Sequence, residues 1–163
     1  MAVTLFIMRH GDAEPAQALK ADAIRPLSTL GESEVLASAD WLKSYMQEQG
    51  TQFDWLLASP FIRAQQTATI VESITPASHR DVADDAIPES DPQEFCDWFF
   101  AMLQSRYPNA ETIVLVSHMP FVSYLVATLD KKTPPLLFPT AGMAELKLDV
   151  AMQRADFIRM VVP

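Results

Sequence analysis

Three places in the chain set an imidazole or a guanidinium just beyond an apolar run. "VTLFIM" (Val3 to Met8) leads into Arg9-His10-Gly11. "DWLLA" (Asp54 to Ala58) leads into Ser59-Pro60, with Arg63 in the next helical turn, and "TIVLVS" (Thr112 to Ser117) leads into His118. The chain has only 3 histidines, so two of them in equivalent positions is a pattern to explain. A forked guanidinium matches phosphate oxygens in pairs. An imidazole with an ordinary pKa near ~6.5, pushed lower by neighbouring cations, stays neutral and can attack phosphorus. Together these residue types describe a phosphate pocket with a histidine nucleophile, and Gly11 lets the backbone approach closely there.

For these groups to meet, the three apolar runs must be neighbouring strands. They are continuously apolar rather than alternating, as parallel strands covered on both faces are. Helical patterns separate them. A capping-box pattern, Thr29 with Glu32, precedes Val35, Ala39, Leu42 and Met46 at helical spacing, and Gly50 suits the stop. Ser59-Pro60 reads as a cap with proline in the first turn, followed by Phe61, Ala64, Ala68 and Val71 on one face. Asp91-Pro92 repeats the device before Phe95, Trp98, Phe99, Met102 and Leu103, and "PFVSYLVATL" follows His118. In the tail, "AELKLDV" and "ADFIRMVV" flank the turn "AMQR", behind an ordered proline-rich connector, "TPPLLFPTAG". The expected fold is α/β, a three-layer α/β/α arrangement with a mostly parallel central sheet and a C-terminal antiparallel hairpin at its edge. Ligands of such sheets bind outside the carboxyl ends of the strands, where the arginines and histidines would converge. The helix N-termini after Pro60 and near Pro120 would add dipoles that favour an anion.

The 163 residues are expected to form a single domain, 1–163, with 49% hydrophobic and 20% charged residues. A net charge of −9 with no basic run argues against nucleic-acid or anionic-membrane partners. No run is long enough to span a bilayer, and Val3 to Met8 lacks the preceding basic residues of a signal peptide. A single cysteine, Cys96, leaves no internal disulfide and no cysteine-rich metal site. The expectation is a cytoplasmic protein, and a monomer, since no exposed apolar stripe stands out.

The blocks "FIMRHGDAE", "RPLSTLG" (Arg25 to Gly31), "LLASPFIRAQQTA" (Leu56 to Ala68) and "LVSHMPFVSYLV" (Leu115 to Val126) resemble, in order, those of the histidine phosphatase (phosphoglycerate mutase-like) superfamily. The short length and the wording "RHGDA", "SPFIRAQQT" and "SHMP" resemble its SixA-type phosphohistidine phosphatases. The resemblance implies that His10 is phosphorylated during turnover, that Arg9 and Arg63 hold the phosphoryl oxygens, and that His118 donates a hydrogen bond to them. It makes Arg25 a further pocket arginine, and it implies no metal or other cofactor, the arginines supplying the charge neutralisation. The implied substrate is a phosphohistidine-bearing protein, such as a phosphotransfer domain, with inorganic phosphate as product.

An ester's alkoxide leaving group needs a positioned proton donor. Glu89, in "SHRDVADDAIPESDPQEF", and Asp22, three residues before Arg25, are the candidate acids. An imidazole leaves more readily, so a loosely defined acid and a short, open chain favour phosphohistidine over an ester. Two other functions stand beside that reading: a small-molecule phosphomonoesterase of the same superfamily, and a phosphate-binding module without catalysis. Bland roles compete residue by residue as well. Arg9-His10 could be a polar strand end, Arg25 a surface arginine and His118 a core histidine. His79 reads as solvated, Cys96 as packing, and Ser59 and Ser117 as caps or pocket walls. A metal site of His10, Asp12 and His118 is disfavoured by the adjacent arginines.

Overall fold

The computed structural model describes residues 2–163. Ten regular elements follow one another: β1 (Val3–Arg9), α1 (Thr29–Gln49), β2 (Phe53–Ala58), α2 (Ile62–Ile74), β3 (His79–Val82), α3 (Pro92–Arg106), β4 (Thr112–Ser117), α4 (Phe121–Leu129), β5 (Met143–Asp149) and β6 (Arg154–Val161). A short 3-10 turn, Asp22–Ile24, interrupts the long loop between β1 and α1.

The strands form one six-stranded sheet in the order β3-β2-β4-β1-β5-β6. β1, β2, β3 and β4 are mutually parallel, whereas β5 runs antiparallel to β1 and to β6. The C-terminal hairpin is thus the sheet edge that its alternating pattern predicts. Side chains along the central strands divide strictly between the two faces. Leu5, Ile7, Trp55, Leu57, Ile113 and Leu115 pack under α3 and α4. Phe6, Met8, Leu56, Ala58, Val114 and Val116 pack under α1 and α2. Two covered faces explain why β1, β2 and β4 are continuously apolar.

Three expectations are corrected. The α1 cap is Ser28, not Thr29: its Oγ accepts from the Gly31 N–H at 3.0 Å, so the helix starts one residue earlier than the capping-box reading had it. α2 starts at Ile62, because Ser59 Oγ accepts from the Phe61 N–H and forms a turn ahead of the helix. Phe61 therefore sits outside the buried stripe of Ala64, Ala68 and Val71. The charged stretch read as a loop before Asp91 opens with the four-residue edge strand β3, too short and polar to show a strand pattern. Asp91 and Pro92 cap α3 as expected, with the Asp91 carboxylate accepting from Gln93 N–H.

Two glycines allow the loop after β1 to lie on α1. A Cβ on Gly11 would come 2.7 Å from the Gly31 carbonyl oxygen, and one on Gly31 would collide with the Asp12 carbonyl. Gly50, by contrast, has open space but a left-handed φ of 62°. Gly50→Ala should cost about 1 kcal/mol, from backbone strain alone. Gly31→Ala should cost at least about twice that, because backbone must move. Urea midpoints of the two variants measure this, and equal losses would contradict the close packing.

Candidate active site

The register of the sheet brings the strand ends level. Arg9 pairs with Ser117 across β1 and β4, and Ala58 pairs with Val116 across β2 and β4. The ladder continues one step beyond: His10 N–H donates to the Ser117 carbonyl at 3.0 Å, and Ser59 N–H donates to Val116. His10 and His118 consequently face each other with ring centroids 5.0 Å apart. α2 then starts close by and delivers Arg63 from its first turn.

His10 is 7% exposed and has both ring nitrogens assigned by their partners. Nδ1 lies 2.7 Å from the Gly11 carbonyl, which can only accept, so Nδ1 carries the proton. Nε2 is left with a lone pair, and Arg63 Nε–H donates to it at 3.2 Å. Burial, and then the charges of Arg63, Arg9 and Arg25, push the His10 pKa down to about 4, against the bond to Gly11 that raises it. At neutral pH this is an uncharged imidazole with its free electron pair beside a guanidinium.

His118 is tied through Ser59. The Ser59 hydroxyl accepts from Phe61 N–H and sits 2.7 Å from His118 Nε2. Burial, followed by the proximity of His10 and Arg63, lowers the His118 pKa to about 3. Among the described residues, two buried side-chain nitrogens have no hydrogen-bond partner, His118 Nδ1 and Arg9 Nε. An unpaired buried donor costs about 1–3 kcal/mol. Both residues belong to this site.

Arg9 is anchored by the connector before β5, donating from Nη1 to the Phe138 carbonyl at 2.8 Å. Arg63 is 3% exposed and lies over the Phe61 ring at 5.0 Å. Its outer nitrogens reach the β1–α1 loop, Nη1 donating to the Asp22 carbonyl at 2.7 Å and Nη2 to the Asp22 carboxylate at 2.9 Å. Arg25 pairs with the other Asp22 oxygen at 3.1 Å.

The two candidate acids are placed very differently. Partial burial raises the Asp22 pKa, but Arg63 and Arg25 outweigh this and hold its carboxyl below the usual range. An ionised, doubly paired Asp22 suits the positioning of two arginines and does not suit proton donation. Glu89 is exposed, in a turn whose loop is tied to the end of β4 by Ser117 Oγ–H donating to the Ala86 carbonyl. Asp12 turns to α1, its carboxylate accepting from Ser28 Oγ–H at 2.6 Å, away from any ligand set with the histidines. Among the described residues no three His, Cys, Asp or Glu side chains gather as a metal site. His79 is exposed, and the buried Cys96 thiol is pushed up to about 12 by its burial.

Sequence reasoning missed two positioning groups. Thr67 accepts from Gly11 N–H and donates to the Arg63 carbonyl, linking the His10 loop and α2. Its spacing of four from Arg63 on one helix was a usable signal. The Phe138 carbonyl, reached across the whole fold, had none.

A neutral histidine among arginines at the carboxyl end of this sheet defines a phosphoryl-transfer enzyme of the histidine phosphatase superfamily. The chain is 35% identical to the phosphohistidine phosphatase SixA of Escherichia coli K12 over 146 residues, 89% of this chain and 85% of that protein. It therefore belongs to the SixA family of phosphohistidine phosphatases. A SixA homolog of Haemophilus influenzae is 28% identical over 90% of this chain and 89% of its own length. A solved structure of the protein histidine phosphatase SixA, complexed with tungstate, superposes with a TM-score of 0.86 at 31% identity, covering 99% of this chain and 97% of that one. A mycobacterial glucosyl-3-phosphoglycerate phosphatase shares the fold, with a TM-score of 0.72 at 17% identity over 99% of this chain and 98% of its own. No family model matches the chain.

The tautomers and pKa directions make a pH prediction. Both histidines titrate lower in the folded protein than the ordinary ~6.5 of the unfolded chain, so protons favour unfolding between those values. Their contribution to stability should be complete above about pH 6.5 and decline as pH falls toward about 4 and then about 3. Nitrogen-resolved NMR should show His10 as the neutral Nδ1–H form down to about pH 4. A His10 midpoint near the ordinary ~6.5 would contradict the buried site.

Proposed function

We propose that this protein is a phosphohistidine phosphatase that removes the phosphoryl group from a protein histidine through a covalent phospho-His10 intermediate. The observation that carries the proposal is His10 itself: a buried neutral ring with Nδ1–H tied to Gly11 and an electron pair on Nε2. In the first step the Nε2 pair forms a bond to phosphorus as the substrate's N–P bond breaks, and that electron pair leaves with the substrate imidazole. In the second, a water oxygen bonds to phosphorus, the His10 N–P bond breaks, and the pair returns to Nε2. Water supplies one oxygen and both protons of the released dihydrogen phosphate, which passes one proton to solvent.

Arg9, Arg63 and Arg25 would surround the phosphoryl oxygens, and His118 would donate a hydrogen bond to one of them. Their fixed charges meet negative charge that the transition state spreads over the equatorial oxygens, in the role metal ions fill elsewhere. That a relative is solved with tungstate, a tetrahedral oxyanion, supports an oxyanion pocket. The ionised state of Asp22 favours phosphohistidine over an ester, because an imidazole leaving group makes the weaker demand on an acid. Glu89 would be the donor for any ester turned over. The proposal takes the substrate to be a phosphotransfer domain, and the enzyme to be a cytoplasmic monomer of one domain, 1–163. Among the described residues, no helix is long and apolar enough to cross a membrane.

Phosphate release from a histidine-phosphorylated phosphotransfer domain, with EDTA present, tests the reading. His10→Ala should lose at least about 10³-fold, and p-nitrophenyl phosphate should be turned over far more slowly than the protein. Retained activity in His10→Ala would refute the covalent route, whereas preference for the ester would assign the site to small phosphomonoesters.

A further inference from the structure

The pocket has an apolar surround that the chemistry does not use. Residues 13 and 14 pair with 27 and 26, through the antiparallel bridge of Ala13 with Leu27 and the Glu14 N–H to Pro26 carbonyl bond at 2.9 Å. Between them residues 15–25 project as a flap from the same end of the sheet. Residues 14–22 are all exposed, and Leu19 is 100% exposed. The flap walls a cavity of about 480 Å³, with Pro15, Ala21, Ile24 and Pro26 among its apolar lining and Glu14, Lys20, Asp22 and Arg25 as its charged lining. Asp22, which lines this cavity, also grips Arg63, so one residue links the cavity wall to the arginine beside His10.

Other exposed apolar side chains sit next to residues that build the pocket. Ile62, 38% exposed, precedes Arg63, and Leu137, 87% exposed, precedes Phe138, whose carbonyl holds Arg9. Ile24, 49% exposed, lies two residues from Asp22. Large apolar side chains held in water around a charged pocket mark a contact surface. We infer that Leu19, Ile24, Ile62 and Leu137 form an apolar collar that docks the body of the protein carrying the phosphohistidine.

The occupant follows from reach. His10 is 7% exposed, and a histidine holds its phosphoryl group on a ring one methylene from its backbone. To bring that group onto Nε2, the carrying backbone must come down on the rim, and its neighbouring side chains on the collar. A small phosphate ester has nothing to place there. The inference rests on the catalytic reading above and deepens it by assigning the surface that recognises protein.

The test compares two substrates with the same scissile bond: a histidine-phosphorylated phosphotransfer domain and free phosphohistidine. The double variant Leu19→Ser with Leu137→Ser changes two highly exposed large apolar side chains, neither of which is among the pocket groups. It should lose about tenfold or more in kcat/KM on the protein, chiefly through KM, and stay within about twofold on free phosphohistidine. Unchanged rates on both, or equal losses on both, would overturn the collar. A wild-type dimer in sedimentation that the variant abolishes, with protein turnover unchanged, would give the surface to a second copy and overturn it too. Failure of the wild type on both substrates would instead sink the catalytic reading, so the two failures are distinguishable.

Discussion

One hydrogen bond, from His10 Nδ1–H to the Gly11 carbonyl, decides what the histidine can do. It fixes the tautomer and turns the Nε2 electron pair toward Arg63. For the bond to hold, the Gly11 carbonyl must not move, and much of the surrounding structure meets that constraint. Gly11 N–H is held by Thr67, which is itself bonded to the Arg63 carbonyl. Behind it, the loop lies on α1 at a distance only glycines at 11 and 31 permit. Asp12 N–H and carboxylate are then taken by Glu34 and Ser28 of the same helix and its cap. The His10 ring is thus set by backbone and packing, and among the described residues no carboxylate pairs with it to raise its pKa.

The electrostatics follow the same logic of contrast. The chain as a whole is acidic at −9, yet its pocket gathers three arginines around two neutral histidines. Left alone, those guanidiniums would repel one another. Asp22 bridges Arg63 and Arg25 and so offsets that repulsion while leaving His10 uncharged. An anion arriving here meets local positive charge within a chain that would otherwise turn it away. Local chemistry outweighs net charge because interactions beyond a Debye length of about 8–10 Å are screened in salt.

What could be read from residues alone was whatever strong local patterns encode. Continuous apolar runs ending in Arg9-His10, Ser59 and Ser117-His118 gave three strands and the end of the sheet at which chemistry collects, and alternation in the tail gave the edge hairpin. β3 escaped because four edge residues, three of them polar, bury too little to leave a period. The cap at Ser28 escaped because adjacent Ser and Thr are equally good caps, and only the packing of Gly31 on Asp12 selects between them. Asp22 was legible as a carboxylate near Arg25. Its role was not, since that depends on Arg63, 41 residues away, and on an ionisation state fixed by both arginines.

The central claim is that phosphorus bonds to one nitrogen of one histidine. Rapid acid-free quenching of the enzyme with a histidine-phosphorylated protein, followed by ³¹P and ¹⁵N NMR of the trapped chain, addresses it directly. The predicted result is a single phosphohistidine at His10 bearing its phosphoryl group on Nε2, with Nδ1 still protonated. A phosphoryl group on Nδ1, on His118, or on no histidine at all while phosphate is released, would contradict it.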